Sequence, residues 1–179
     1  MTDRVTDIDD FGDGLAYRAN VPLAWAESDS SSLEISSAEN EQCLHVILNL
    51  SEYHTPEQNE ETTALSMLER KVDITLQMVS ELLRSATKMP SNKEIRLGAH
   101  EISWHEPAKL PILNATLDLV IYLHDLYPKP LRLRGQVKLA SSQQCVVSLE
   151  PQSEEVQQLL EKFIFLHHRR AIAQSKRIK

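Results

Sequence analysis

One stretch of this chain, Pro56 to Ala86, has the spacing of an α-helix and carries apolar residues on two of its sides. At about 100° per residue, Val72 and Ile74 point about 200° apart, so one neighbouring element cannot cover both. The first apolar stripe consists of Leu65, Leu68, Val72, Leu76, Val79 and Leu83, and the second of Met67, Ile74, Met78 and Leu82. We expect the preceding helix to cover one stripe and another copy of the chain to cover the other.

The same stretch fits a heptad register, which is typical of helices that associate as coiled coils. The a and d positions are Leu65, Leu68, Val72, Val79 and Leu82, with Thr75 as the one polar d residue. A dimer seam would leave Met67, Ile74 and Met78 to the preceding helix alone, so these residues favour a tetramer over a dimer. The alternative is an intramolecular helical hairpin folded over the rest of the domain.

Composition predicts one soluble domain, because 179 residues with 41% hydrophobic and 25% charged residues suit a single ordinary core. The net charge of -7 argues against a general nucleic-acid binder. Residues 1–14 form an acidic segment, which we interpret as an arm that becomes ordered on a partner. Residues 167–179 are basic, and within them Arg169 and Arg170 are candidate contacts for a protein partner or for the acidic arm.

Several classes of function lack the residues that they need. Cys43 and Cys145 form no Cys-x-x-Cys pair, and the sequence shows no apolar leader and no membrane span of about 20 apolar residues, which together predict a reduced, cytoplasmic protein. The four glycines form no phosphate-binding loop or nucleophile elbow. His100, Glu101 and His105 miss the zinc-protease spacing by one residue. We therefore expect no enzyme activity, no metal and no cofactor.

The order of patterns predicts an α+β fold in a single domain, 1–179. Residues 36–87 read as two helices joined in a hairpin, with a capping box at Ser36 and Glu39, and 153–176 as a C-terminal helix capped by Ser153. Alternation of apolar and polar residues predicts an antiparallel meander that closes as a small barrel or forms a strongly curved sheet. The predicted strands are Leu15 to Glu27, Glu94 to His105, Asn114 to His124, Leu131 to Ala140 and Gln143 to Leu149.

This order of elements resembles the PilZ domain family, the bacterial receptors for cyclic di-GMP. The resembling stretches are 95–104, 110–119, 130–137 and the first strand ending at Pro22-Leu-Ala-Trp25. Residues 68–76 and 163–170 resemble an atypical subgroup in which helices interrupt the barrel. The resemblance implies a role in cyclic di-GMP signalling, with motility, surface appendages and virulence as outputs of the family.

The ligand motifs of that family are degenerate in this chain. Direct receptors use an Arg-x-x-x-Arg loop before the first strand, where this chain is acidic and ends in Arg18 alone. They also use an Asp/Asn-x-Ser-x-x-Gly turn, at which Arg96, Gly98 and Glu101 replace Asp/Asn, Ser and Gly. Because a dianionic dinucleotide needs guanidinium contacts, the losses predict weak or absent cyclic di-GMP binding.

Two readings of the function therefore stay open. The first is an oligomeric adaptor that signals through a protein partner without binding the dinucleotide itself. The second is a direct receptor with an altered binding mode that uses Arg18, Arg96 or the basic residues 167–179.

Overall fold

Within the described residues, six strands form a closed antiparallel barrel and three helices accompany it, which confirms the predicted α+β class. The computed structural model describes residues 15–28, 35–52, 64–106, 109–141 and 143–177. The predicted acidic arm and the first part of the predicted long helix, 56–63, lie outside the described residues. The elements are β1 Tyr17–Glu27, α1 Ser37–Glu52, α2 Ala64–Ala86, β2 Asn92–Leu97, β3 Glu101–His105, β4 Thr116–Ile121, β5 Leu131–Ser141, β6 Gln144–Leu149 and α3 Glu154–Arg177.

The strand order around the barrel is β1-β2-β3-β6-β5-β4, so the predicted simple meander is wrong. Two three-strand meanders, β1 to β3 and β4 to β6, close on each other instead. The strand β1 connects the two meanders, since its residues 17–22 pair with β2 and its residues 23–27 pair with β4. Pro22 lies at this change of partner, a position that suits a residue without a backbone N–H.

The predicted strand from Glu94 to His105 is wrong as a single strand, because the chain reverses within it. Gly98 donates its backbone N–H to the carbonyl of Glu101 at 2.8 Å and closes a tight turn between β2 and β3. Gly98 is the one glycine in this stretch, which has no proline, asparagine or aspartate, and the alternation of apolar residues continues on both sides of it. The period of two therefore concealed the turn.

The helix α3 packs on β1 as the apolar face predicted for it requires. Val156 and Leu160 are buried, and the ring of Tyr17 contacts Phe163 and His167 with centroid distances of 4.8 Å to each. The hydroxyl of Ser153 accepts the N–H of Val156 at 3.4 Å, which confirms the predicted cap. In the described parts of the chain no helix is long and apolar enough to span a membrane.

The helix α1 packs on α3 and β5, whereas the sequence predicted packing against the following helix. The hydroxyls of Ser37 and Ser153 lie 2.7 Å apart where the two helices begin, and Arg170 of α3 donates to the carbonyl of Ser51 near the end of α1. The two helices therefore run parallel. The segment 53–63, which would form the turn of the predicted hairpin, lies outside the described residues.

Asn40 attaches α1 to the barrel through both of its side-chain groups. Its amide nitrogen donates to the carbonyl of Arg132 at 2.7 Å, and its amide oxygen accepts the N–H of Arg132 at 2.9 Å. Asn40 is 1% exposed, so these bonds satisfy polar groups that water does not reach.

A buried carboxylate, Glu106, joins three strands of the barrel. It accepts hydrogen bonds from Trp25 Nε1 at 2.8 Å, from Trp104 Nε1 at 3.3 Å and from the ammonium of Lys93. Glu106 is 5% exposed and Lys93 14%. Burial acts to raise the pKa of Glu106, but the bonds from Lys93 and the two tryptophans outweigh it and lower the pKa below its usual range.

We predict that Glu106→Gln lowers the free energy of unfolding by about 3 kcal/mol at pH 7, because it leaves Lys93 buried without its counter-ion. The carboxylate is favoured in the folded state, so its contribution is complete above the pKa of the unfolded chain. It is lost as pH falls through the lower folded pKa. The difference between parent and variant in urea unfolding, at one protein concentration, should therefore shrink below about pH 4.5.

Glu94→Gln is the matched control, since Glu94 is an exposed carboxylate on β2. That variant should unfold like the parent. A Glu106→Gln effect no larger than the control effect at pH 7 would show that the buried pair does not stabilise the barrel.

Candidate functional site

The helix α2 leaves most of its apolar side chains in solvent. Eight large apolar residues of this helix are between 47% and 70% exposed. They are Met67, Leu68, Val72, Ile74, Met78, Val79, Leu82 and Leu83. We call this set the α2 apolar surface. Contiguous apolar surface of this extent is unusual on a soluble monomer and marks an interaction site.

The opposite, polar side of α2 attaches the helix to the barrel. Ser80 is 3% exposed, and its hydroxyl contacts the carbonyl of Leu126 at 2.5 Å. One turn later, Arg84 pairs with the carboxylate of Asp125 at 2.8 Å. Both contacts hold the loop between β4 and β5. Since positions 80 and 84 share one helix face, the α2 apolar surface points away from this attachment.

The prediction that the preceding helix covers one stripe of α2 is wrong. Met67, Ile74 and Met78 are 59%, 50% and 66% exposed, and α1 packs on α3 instead. The physical reason is that α1 carries a buried face of its own, Cys43, Leu44, Ile47 and Leu48, which the barrel and α3 cover. Neither stripe of α2 is therefore covered by α1.

The polar d residue Thr75 is compatible with an apolar seam. Its hydroxyl donates to the carbonyl of Lys71 at 2.8 Å, inside the same helix. The side chain therefore needs no hydrogen-bond partner from a neighbouring helix and can present its methyl group. The side chain of Leu65, the first a residue of the register, lies outside the described residues.

A second surface brings two of the predicted ligand-motif residues together. Arg18 of β1 and Arg96 of β2 lie directly opposite each other, and Arg96 lies opposite Ser103 of β3. They line an open groove of about 650 Å³ on the barrel wall. Other residues of the groove are Asn20, Glu94, His105 and Gln144. Two adjacent guanidinium groups can bind an anion, although the carboxylate of Glu94 weakens the field there.

The other predicted positions are used elsewhere. Gly98 and Glu101 form the turn between β2 and β3 and do not line the groove. Arg170 is half-buried and bonds the end of α1. Arg169 is exposed, with its guanidinium carbon 5.9 Å from the centroid of the Phe165 ring.

The described residues show no centre for metal or thiol chemistry. They contain no group of three His, Cys, Asp or Glu side chains placed to hold a metal ion. Cys43 and Cys145 are both free and buried, and burial raises the pKa of each thiol to about 12. Thiols with so high a pKa are poor nucleophiles at neutral pH.

Sequence reasoning missed the residues that position these surfaces. Ser80 and Arg84 lie on the polar side of a helix. Their spacing of four, which places them on one face, was the available signal of a polar attachment to the barrel. Glu106 follows Ile102 and Trp104 at intervals of two. This spacing was the available signal that its carboxylate lies on the same, buried side of the strand. Asn40 gave no local signal, since its partner lies 92 residues away.

Comparison with known proteins agrees with the barrel and its helices. The family model described as atypical PilZ domain, cyclic di-GMP receptor, matches residues 43–177. A similar solved structure is that of a pathogenic protein from Xanthomonas campestris, a tetrameric PilZ domain self-assembled via an unusual helical bundle. The two chains are 22% identical with a TM-score of 0.71, over 91% of this chain and 93% of that one. A comparison with curated proteins gave no match.

We predict that Ser80→Ala combined with Arg84→Met loosens the loop between β4 and β5. The buried hydroxyl contributes about 1 kcal/mol and the exposed ion pair less, so amides of residues 122–127 should exchange about 5-fold to 10-fold faster. Hydrogen exchange with mass spectrometry measures this. Gln77→Ala is the control, because the side-chain amide of Gln77 bonds to Glu81 within α2. Equal exchange in both variants would contradict the attachment.

Proposed function

The chain belongs to the atypical PilZ domain family, and we propose that it acts as a non-enzymatic, self-assembled adaptor in bacterial cyclic di-GMP signalling. The observation that carries the proposal is the α2 apolar surface, which points away from the barrel. The 23-residue helix α2 would not be stable in water with this apolar surface exposed, because most helical stability comes from burial of an apolar face. Further copies of α2 would supply that burial.

The width of the surface favours four helices over two. Val79 and Met78 lie on the two stripes of α2 and are 47% and 66% exposed, so one partner helix would leave one of them in water. In a four-helix bundle each helix contacts two neighbours. The similar Xanthomonas campestris protein is a tetramer self-assembled via a helical bundle, which supports the proposal.

We predict that the parent protein has the mass of four 20.4 kDa chains and that Val72→Glu with Val79→Glu has the mass of one. Both valines are about half exposed within one chain, so new carboxylates oppose association without disturbing the fold. Light scattering coupled to size exclusion gives the mass, and circular dichroism reports the fold.

Gln77→Glu is the matched control, because it adds the same carboxylate to the polar side of α2. It should keep the mass of four chains. A parent protein with the mass of one chain, or a double variant that keeps the mass of four chains, would contradict the role of the α2 apolar surface.

The signalling step of the proposal runs through a protein partner. The acidic or altered residues at both ligand motifs support weak or absent binding of the dinucleotide to this chain. A family output such as motility or virulence would then depend on which protein partner binds to the assembled barrels. We place this action in the cytoplasm, where free, buried thiols such as Cys43 and Cys145 stay reduced.

A second candidate function, direct cyclic di-GMP binding in an altered mode, is favoured by one observation. Arg18 and Arg96 come from distant parts of the sequence and meet in the same groove. Two guanidinium groups side by side can contact a phosphate or the edge of a guanine. This candidate differs from the adaptor in one measurable property, the affinity of the isolated protein.

We predict that calorimetric titration of the protein with cyclic di-GMP gives no binding heat at concentrations of about 100 µM, since each lost charge-assisted contact removes roughly 1.5 to 3 kcal/mol. The alternative predicts micromolar binding that Arg18→Ala with Arg96→Ala abolishes. Lys138→Ala, which removes an exposed charge from β5 outside the groove, is the control and should leave any binding unchanged.

A further inference from the structure

The side of α3 that faces away from the barrel carries an apolar and basic stripe. Phe165 and Ile172 are 48% and 43% exposed, and the guanidinium of Arg169 lies over the Phe165 ring between them. Their spacing of four and three residues puts them on one helix face. We call these three residues the α3 stripe. The buried residue Phe163 lies on the opposite side of the same helix.

The charge in the second half of α3 is of one sign, whereas Glu161, one turn before Phe165, is acidic. Residues 167–179 contain three arginines, two lysines and two histidines, and no acidic residue. Residues 1–14 have the complementary composition, with five aspartates, one arginine and the apolar residues Val5, Ile8 and Phe11 among them. A ligand for the α3 stripe needs negative charge for Arg169 and apolar groups for Phe165 and Ile172. This acidic segment has both.

The acidic segment also joins the described structure beside α3. Tyr17, the first residue of β1, packs its ring against Phe163 and His167 on the inner side of that helix. Half of the circumference of a helix about 10–12 Å wide is roughly 16–19 Å, which five or six extended residues span. Residues 11–16 are sufficient for this path, and Gly12 and Gly14 within it allow the chain to turn.

We infer that residues 1–14 dock on the α3 stripe of their own chain, with Asp7, Asp9 or Asp10 against Arg169 and with Ile8 against Phe165 or Ile172. The inference goes beyond the proposed function and does not depend on it, because it concerns contacts within one chain. The docked segment covers Arg169. A protein partner that contacts Arg169 therefore has to displace residues 1–14 first.

Zero-length cross-linking of the full chain tests the inference, because a carbodiimide joins a carboxylate to an amine only where the two are in contact. Lys162 precedes Phe165 by one turn of α3, and Lys176 follows Ile172 by one turn. We expect amide links from the aspartates of residues 1–14 to these two lysines, at least 5-fold more abundant than links to Lys109 or Lys138. Mixing heavy-isotope and light chains should give links within chains only.

The variant Arg169→Glu should reduce the links to Lys162 and Lys176 at least 5-fold, since it reverses the charge that attracts the segment. Lys138→Glu, the same reversal on β5, should not reduce them. Links spread evenly over all lysines, links between heavy and light chains, no links, or links that Arg169→Glu leaves unchanged would each overturn the inference. Circular dichroism of both variants verifies that α3 is retained.

Discussion

The exposure of the α2 apolar surface is the constraint on which the proposed assembly depends. The barrel, α1 and α3 bury their apolar residues against one another, and α2 is attached to the barrel through Ser80 and Arg84. Apolar area in water costs about 25 cal/mol per Å², so eight large side chains supply a strong drive towards association. In the proposed bundle, the barrel, which is held at one side of α2, would face outward.

Local signals in the sequence were sufficient for most elements and for this surface. The caps at Ser36 and Ser153 are present, with the Ser36 hydroxyl accepting the N–H of Glu39 at 3.3 Å. Missing the turn at Gly98 also hid the pairing of β2 with β3. Once β2 and β3 pair, Ile95 lies opposite Trp104, and the same register places Lys93 opposite Glu106. The buried ion pair followed from the turn and could not be predicted without it.

Long-range contacts account for what the sequence did not predict. Arg18 and Arg96 were suspected separately, and only the pairing of β1 with β2 shows that they share a groove. The hairpin of the first two helices was a reasonable expectation from a short link, but the pair of bonds from Asn40 to Arg132 holds α1 on β5. Both outcomes depend on residues more than 70 positions apart, which no local pattern records.

The most direct test of self-assembly through α2 is hydrogen exchange of residues 64–86 in the unmodified protein over a range of concentrations, with the mass measured on the same samples. The account predicts slow exchange in α2 while the mass is that of four chains, and fast exchange once dilution releases single chains. Fast exchange in α2 together with the mass of one chain at every concentration would contradict it, because the α2 apolar surface would then have no partner.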